Sequence, residues 1–121
     1  MDSSELKSSL NDLKNRVDEI RDGTFNVPEK EKRLKEIEAD LGKEEVWSDL
    51  ELSQKISKEK TSIEKSLIVF NSVEERVSDG LVLLEIAEEE SDNESISEII
   101  KDYPLLEKAL EELEFSKITS R

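Results

Sequence analysis

The chain has 121 residues, of which 41% are charged, 34% hydrophobic and 4% aromatic, with a net charge of −14. That length sets a single domain of 1–121 with one modest core, and the low apolar fraction demands that the apolar residues be placed with regular spacing. The absence of Cys and His removes disulfides, thiolate chemistry, the commonest general base and the commonest zinc ligand.

Residues 4–21 read as a first helix. Leu6, Leu10, Leu13, Val17 and Ile20 recur at alternating steps of four and three, a seam for packing against another helix. Asp2, with Glu5 three residues on, gives it an acidic start. Asp22-Gly23 supplies a stop in which Gly can take the left-handed conformation.

Thr24-Phe25-Asn26-Val27 reads as a connector. Pro28, favoured in the first turn of a helix, opens a second helix that runs to about Leu41 and ends at Gly42. Its core positions are Leu34, Ile37 and Leu41, and almost every other position is charged.

The stretch Gly42–Asp49 breaks the pattern and holds Trp47, the only Trp in the chain. A large aromatic in a tight helix–helix connection gains most from burial, so Trp47 is expected first to plug one corner of a bundle; the other reading is a Trp presented to a partner. Ser48-x-x-Glu51 has the capping-box form and announces a long third helix. Its stripe takes in Leu52, Ile56, Ile63, Leu67, Phe70, Val73 or Val77, Leu81, Leu84 and Ile86. Lys60 falls on that stripe, where its stem covers core surface while its ammonium reaches water. Ser78-Asp79-Gly80 lies inside the run and marks a kink or break, since Gly costs about 1 kcal/mol in a helix interior.

Ser91-x-x-Glu94 is a second capping-box match after a Ser91-Asp92-Asn93 turn. The last helix carries Ile96, Ile99, Ile100, Tyr103, Leu106, Leu110, Leu113, Phe115 and Ile118. Pro104 inside it points to a kink or a restart. No segment alternates with period two, so no strand is expected. The fold class is all-α, an elongated bundle of about four helices with coiled-coil-like packing.

Charge is unevenly placed. Residues 79–114 hold 13 acids and 2 bases, whereas residues 28–77 hold 13 acids and 10 bases. The acidic segment repels phosphate backbones and reads first as a solvated face; any partner it meets would be a basic protein surface. The bases of the second and third helices include Lys30, Lys32, Arg33, Lys35, Lys55 and Lys58, with Lys60 and Lys65 further along. They are interleaved with acids, so a mixed, solvated surface is the first reading. A nucleic-acid patch requires that they gather on one side.

Catalytic and cofactor chemistry finds no foothold. Gly23, Gly42 and Gly80 are too far apart for a phosphate-binding loop. Carboxylates are so numerous that pairs among them carry no signal without a pocket. Asp92-Asn93-Glu94 lacks the spacing of a calcium loop. No enzyme activity, cofactor or metal is expected. No apolar run approaches the roughly 20 residues of a membrane span, and the acidic N-terminus is unlike a signal peptide, so the expected location is cytoplasmic.

The run Pro28-Glu29-Lys30-Glu31-Lys32-Arg33-Leu34-Lys35-Glu36-Ile37-Glu38, the break Val46-Trp47-Ser48-Asp49 and Gln54-Lys55-Ile56-Ser57-Lys58-Glu59 resemble the N-terminal region of the bacterial peptide chain release factor 2 family, within the class I release factors. Leu105–Phe115 looks like the last helix of that region, and the resemblance covers roughly Leu6 to Phe115. It implies a role in translation termination, in proteins that read UGA and UAA and trigger peptidyl-tRNA hydrolysis. It also implies docking of this helical domain near the base of the large-subunit stalk, beside ribosomal protein and the termination GTPase, with Lys30, Lys32, Arg33, Lys35, Lys55 and Lys58 as the ribosome-contact candidates. The family's codon-reading Ser-Pro-Phe and its Gly-Gly-Gln motif are not in this sequence. On this reading the chain is one domain, a piece of a longer factor or a truncated gene product. The alternatives are a stand-alone helical adaptor and a coiled-coil protein that self-associates, with a homodimer expected if an apolar stripe is left open.

Overall fold

The computed structural model describes the backbone of residues 1–23 and 25–119 and the side chains of 1–23 and 25–115. Five helices follow one another: α1 (Ser3–Asp22), α2 (Val27–Leu41), α3 (Glu44–Trp47), α4 (Leu50–Glu89) and α5 (Asn93–Thr119). No strand occurs among the described residues. The four long helices are those read from the sequence; α3 is a single turn inside the expected break.

Helix α4 is the spine. Its 40 residues span about 60 Å at 1.5 Å per residue. Its second half packs against α1 and α5, its first half against α2 and α3. α1 runs antiparallel to it, with Arg21 bonded to Glu74 at 2.6 Å and Leu10 lying against Gly80. α5 returns antiparallel to α4 and parallel to α1, to which it is tied by Arg16 and Glu114 at 2.6 Å.

The main core sits between these three helices. The whole α1 seam, Leu6, Leu10, Leu13, Val17 and Ile20, is buried there. It meets Phe70, Val73, Val77 and Leu84 of α4 and Leu106, Leu110 and Leu113 of α5. Both Val73 and Val77 are used. Phe25 closes one end by stacking on Phe70 at a centroid distance of 5.4 Å. A second, smaller core joins Ile37, Val46 and Ile56, flanked by Leu41 and Ile63. Lys60 is half-buried beside this arm, as expected of a stem lying along apolar surface.

Several local expectations give way. Trp47 is 60% exposed, not a buried plug. In a one-turn helix, neighbours point about 100° apart, so only one of Val46 and Trp47 can face the small core; Val46 does. Neither capping box forms at its Ser. Asp49 and Asp92, one residue later, accept the backbone N–H three residues on, from Leu52 at 3.1 Å and Ser95 at 3.1 Å. A carboxylate is the better acceptor at a helix N-terminus because the dipole there favours negative charge. Asp2 caps α1 in the same way, through Glu5 N–H at 2.8 Å.

α4 has no break at Gly80, and α5 has no restart at Pro104. Burial of the flanking turns in the main core outweighs both weak helix formers. Gly23 is not left-handed (φ −99°); the reversal is made at Asn26, φ 52°. Leu52, Ile86 and Phe115 lie on the expected stripes yet are 39%, 47% and 64% exposed. Leu52 falls in the first turn of α4. Ile86 is about 100° from Ala87, which takes the buried position. The Ile118 side chain lies outside the described residues.

Candidate functional site

The six basic candidates lie on α2 and on the first half of α4, which run antiparallel. The antiparallel course is visible in one contact across the seam: Arg33 grips Glu59 with two parallel bonds, Nε to Oε2 at 2.7 Å and Nη2 to Oε1 at 2.8 Å. Glu36 reaches the same guanidinium from one turn on, at 3.7 Å. This pairing holds the Glu59 carboxyl below its ordinary range, first through the Arg33 bond and then through the charges of Arg33 and Lys55; it raises Arg33 correspondingly.

Lys30 is also engaged by the fold. Its ammonium donates to the Phe25 carbonyl at 2.8 Å and lies 4.6 Å from the centre of the Phe25 ring. It thus tethers the start of α2 to the end of the main core. Lys32, Lys35, Lys55 and Lys58 are exposed, and none forms an ion pair within 4 Å among the described residues.

At about 100° per residue, Lys32 and Lys35 sit on the side of α2 turned away from Ile37. Lys55 lies on the flank of α4 that carries Glu59, and Lys58 lies further round. The six therefore divide into two that build the arm, Lys30 and Arg33, and four that remain available on its outer surface. The corner between α2 and α4 adds an apolar element that the sequence pattern hid. Trp47 and Leu50, 60% and 69% exposed, project beside the lysine-bearing helices. The signal that Trp47 would be outside was its neighbour: Val46 already fills the one inward position a single turn provides.

No group of three or more Asp or Glu side chains among the described residues is placed to hold a metal ion. Among the described residues no helix is long and apolar enough to cross a membrane. The carboxylate of Asp92 is held low by the Ser95 hydroxyl and backbone N–H, which is capping chemistry. Burial, then the charge of Glu107, raises Tyr103.

What the molecule offers is a helical arm of mixed charge, with four exposed lysines and the exposed side chains of Trp47 and Leu50, beside a three-helix body. The PCRF domain matches residues 30–120, three quarters of the chain and all but the first turn of the α2–α5 unit. The chain belongs to the PCRF domain family. Curated relatives match it along nearly its whole length. The chain is 31% identical over 115 residues to peptide chain release factor 2 of Yersinia pseudotuberculosis serotype I (strain IP32953), covering 95% of this chain and 31% of the relative. It is 34% identical over 115 residues to peptide chain release factor 2 of Shewanella woodyi, covering 95% and 31%. It is 31% identical over 120 residues to that of Xanthomonas euvesicatoria pv. vesicatoria, covering 99% and 32%. This PCRF chain thus spans about a third of the length of the curated relatives it matches.

Proposed function

We propose that this PCRF domain serves translation termination as the docking module of a peptide chain release factor that reads UGA and UAA. The observation that carries the reading is the match of residues 30–120 to the PCRF domain, together with relatives named release factor 2 along 95% of the chain. The domain holds its factor near the base of the large-subunit stalk, in the cytoplasm, with ribosomal protein and the termination GTPase as neighbours. It does so without decoding or catalysing anything itself, since the Ser-Pro-Phe and Gly-Gly-Gln motifs are not among its residues.

The geometry fits such a task. Lys32, Lys35, Lys55 and Lys58 are presented by helices whose mutual position is fixed by Arg33 and Glu59. Lysines on this arm meet ribosomal RNA phosphates through counterion release, and the exposed Trp47 and Leu50 give the same arm an apolar contact for protein.

An immunoblot of source-organism lysate with antibody to these residues tests whether they act within a longer factor. A single band far above 13.9 kDa supports the proposal. A band at 13.9 kDa would replace it with a stand-alone helical adaptor.

A further inference from the structure

The far end of the molecule from the lysine arm carries a surface of the opposite kind. A groove runs between the second half of α4 and α5. One part of it, 480 Å³, has Leu83, Ile86, Ala87 and Ile99 in its walls and reaches down to Leu10 of α1. A second part, 540 Å³, is lined by Ile68, Val69, Ala109 and Leu113. Arg76 borders both and reaches toward Asp102 of α5 at 3.9 Å, so the channel has two parts in line, one on each side of this contact. From Ile68 to Glu90 the channel follows α4 for about 33 Å, roughly six helical turns.

Four of its apolar side chains are open to water: Ile68 at 67%, Leu83 at 55%, Val69 at 52% and Ile86 at 47%. Gly80 keeps the floor low between them, since it places no side chain over Leu10. The rim is acidic: Asp79, Glu90, Asp92, Glu98, Asp102 and Glu112 border the channel, against the single cation Arg76.

We propose that this channel docks a basic amphipathic helix from a protein partner, with its apolar face on Leu83 and Ile86 and its lysines or arginines on the carboxylate rim. Two antiparallel helices present an apolar trough of the width that a third helix fills, and the length suits one of about 20 residues. The carboxylates exclude nucleic acid. A second copy of this chain is also a poor occupant, because each of its five helices carries more acids than bases. The proposal is separate from the ribosome-docking reading, which uses α2 and the first half of α4.

The probe is a fluorescein-labelled 18-residue peptide of Leu and Lys with Leu at i, i+3, i+4 and i+7 spacing. Its control has the same composition in an order that destroys the apolar face. Anisotropy titrations with the 121-residue chain are expected to show at least about tenfold tighter binding of the amphipathic peptide. Leu83→Gln/Ile86→Gln and Asp79→Lys/Glu98→Lys should each weaken binding by roughly tenfold or more, whereas Leu105→Gln, exposed but outside the channel, should not. Backbone amide shifts on the unaltered chain should cluster on Ile68–Glu90 and on residues 93–113 of α5, a readout that does not depend on how the variants fold. Equal binding of the two peptides, or shifts centred elsewhere, would overturn the proposal. So would sedimentation of the chain alone as a dimer that Leu83→Gln/Ile86→Gln dissociates, since a second copy would then be the occupant.

Discussion

Arg33 and Glu59 bind each other in a two-point grip across the α2–α4 seam, 26 residues apart in sequence. Around them the second core has only three buried residues, Ile37, Val46 and Ile56, against fourteen in the main core. The arm therefore depends more on this pair than the body depends on any of its surface ion pairs. Stability is uneven along α4, higher in its second half than in its first.

Glu59→Gln is expected to speed amide hydrogen exchange across Val27–Trp47 while leaving α1 and α5 nearly unchanged. The effect has a pH signature. Glu59 is depressed in the fold, so its contribution is fully present above the unfolded Glu value of about 4.3. It is lost as pH falls through the lower folded value. Exchange in α2 should thus differ between parent and variant at pH 7 and converge in acid.

Phe70 is fully buried in the main core and stacked on Phe25, so Phe70→Ala leaves a cavity that α1 and α5 cannot close. The expected loss is about 3–5 kcal/mol. Urea unfolding followed by circular dichroism measures it, and a loss below about 1 kcal/mol would contradict this packing.

Two glycines should respond with opposite signs. A methyl group at Gly80 would meet Leu10 Cδ2 at 3.5 Å, an ordinary contact, while removing an interior Gly from α4. Gly80→Ala should stabilise by about 0.5–1 kcal/mol. At Gly23 a methyl group would come within 2.7 Å of the Glu19 carbonyl oxygen, which is backbone and cannot step aside. Gly23→Ala should lower the melting temperature.

Trp47 is the sole Trp and is mostly in water, so its emission is expected to be red-shifted and readily quenched by acrylamide. Trp47→Ala should change stability by no more than about 0.5 kcal/mol. Blue-shifted, protected emission from the isolated chain would place the indole in an interior instead.

The α1 seam could be read in full because Leu6 to Ile20 form an uninterrupted heptad pattern, and a pattern of that length leaves one buried face. The continuity of α4 and α5 could not be read locally. Gly80 and Pro104 are breakers by propensity, and only the tertiary contacts of Val77, Leu84, Leu106 and Leu110 override them. The inversion at Val46 and Trp47 has the same origin: hydrophobicity ranks Trp47 first, but the single turn of α3 decides which residue faces Ile37. Among the site candidates, sequence marked the basic residues but not their division. That Arg33 would turn to Glu59 depends on the antiparallel register of α2 and α4, which no local signal encodes, whereas Lys30 turns back to the Phe25 carbonyl across the left-handed Asn26. The acidity of residues 79–114 was plain, whereas its gathering around an apolar channel required the α4–α5 hairpin.

The most direct test of the termination role is co-sedimentation of this chain with purified bacterial ribosomal subunits. The account predicts binding to the large subunit, not the small, that weakens steeply between about 50 and 200 mM salt. Lys32→Glu/Lys35→Glu/Lys55→Glu/Lys58→Glu should abolish it, while Leu83→Gln/Ile86→Gln should leave it intact. No binding at low salt, or binding that survives the fourfold charge reversal, would contradict the account.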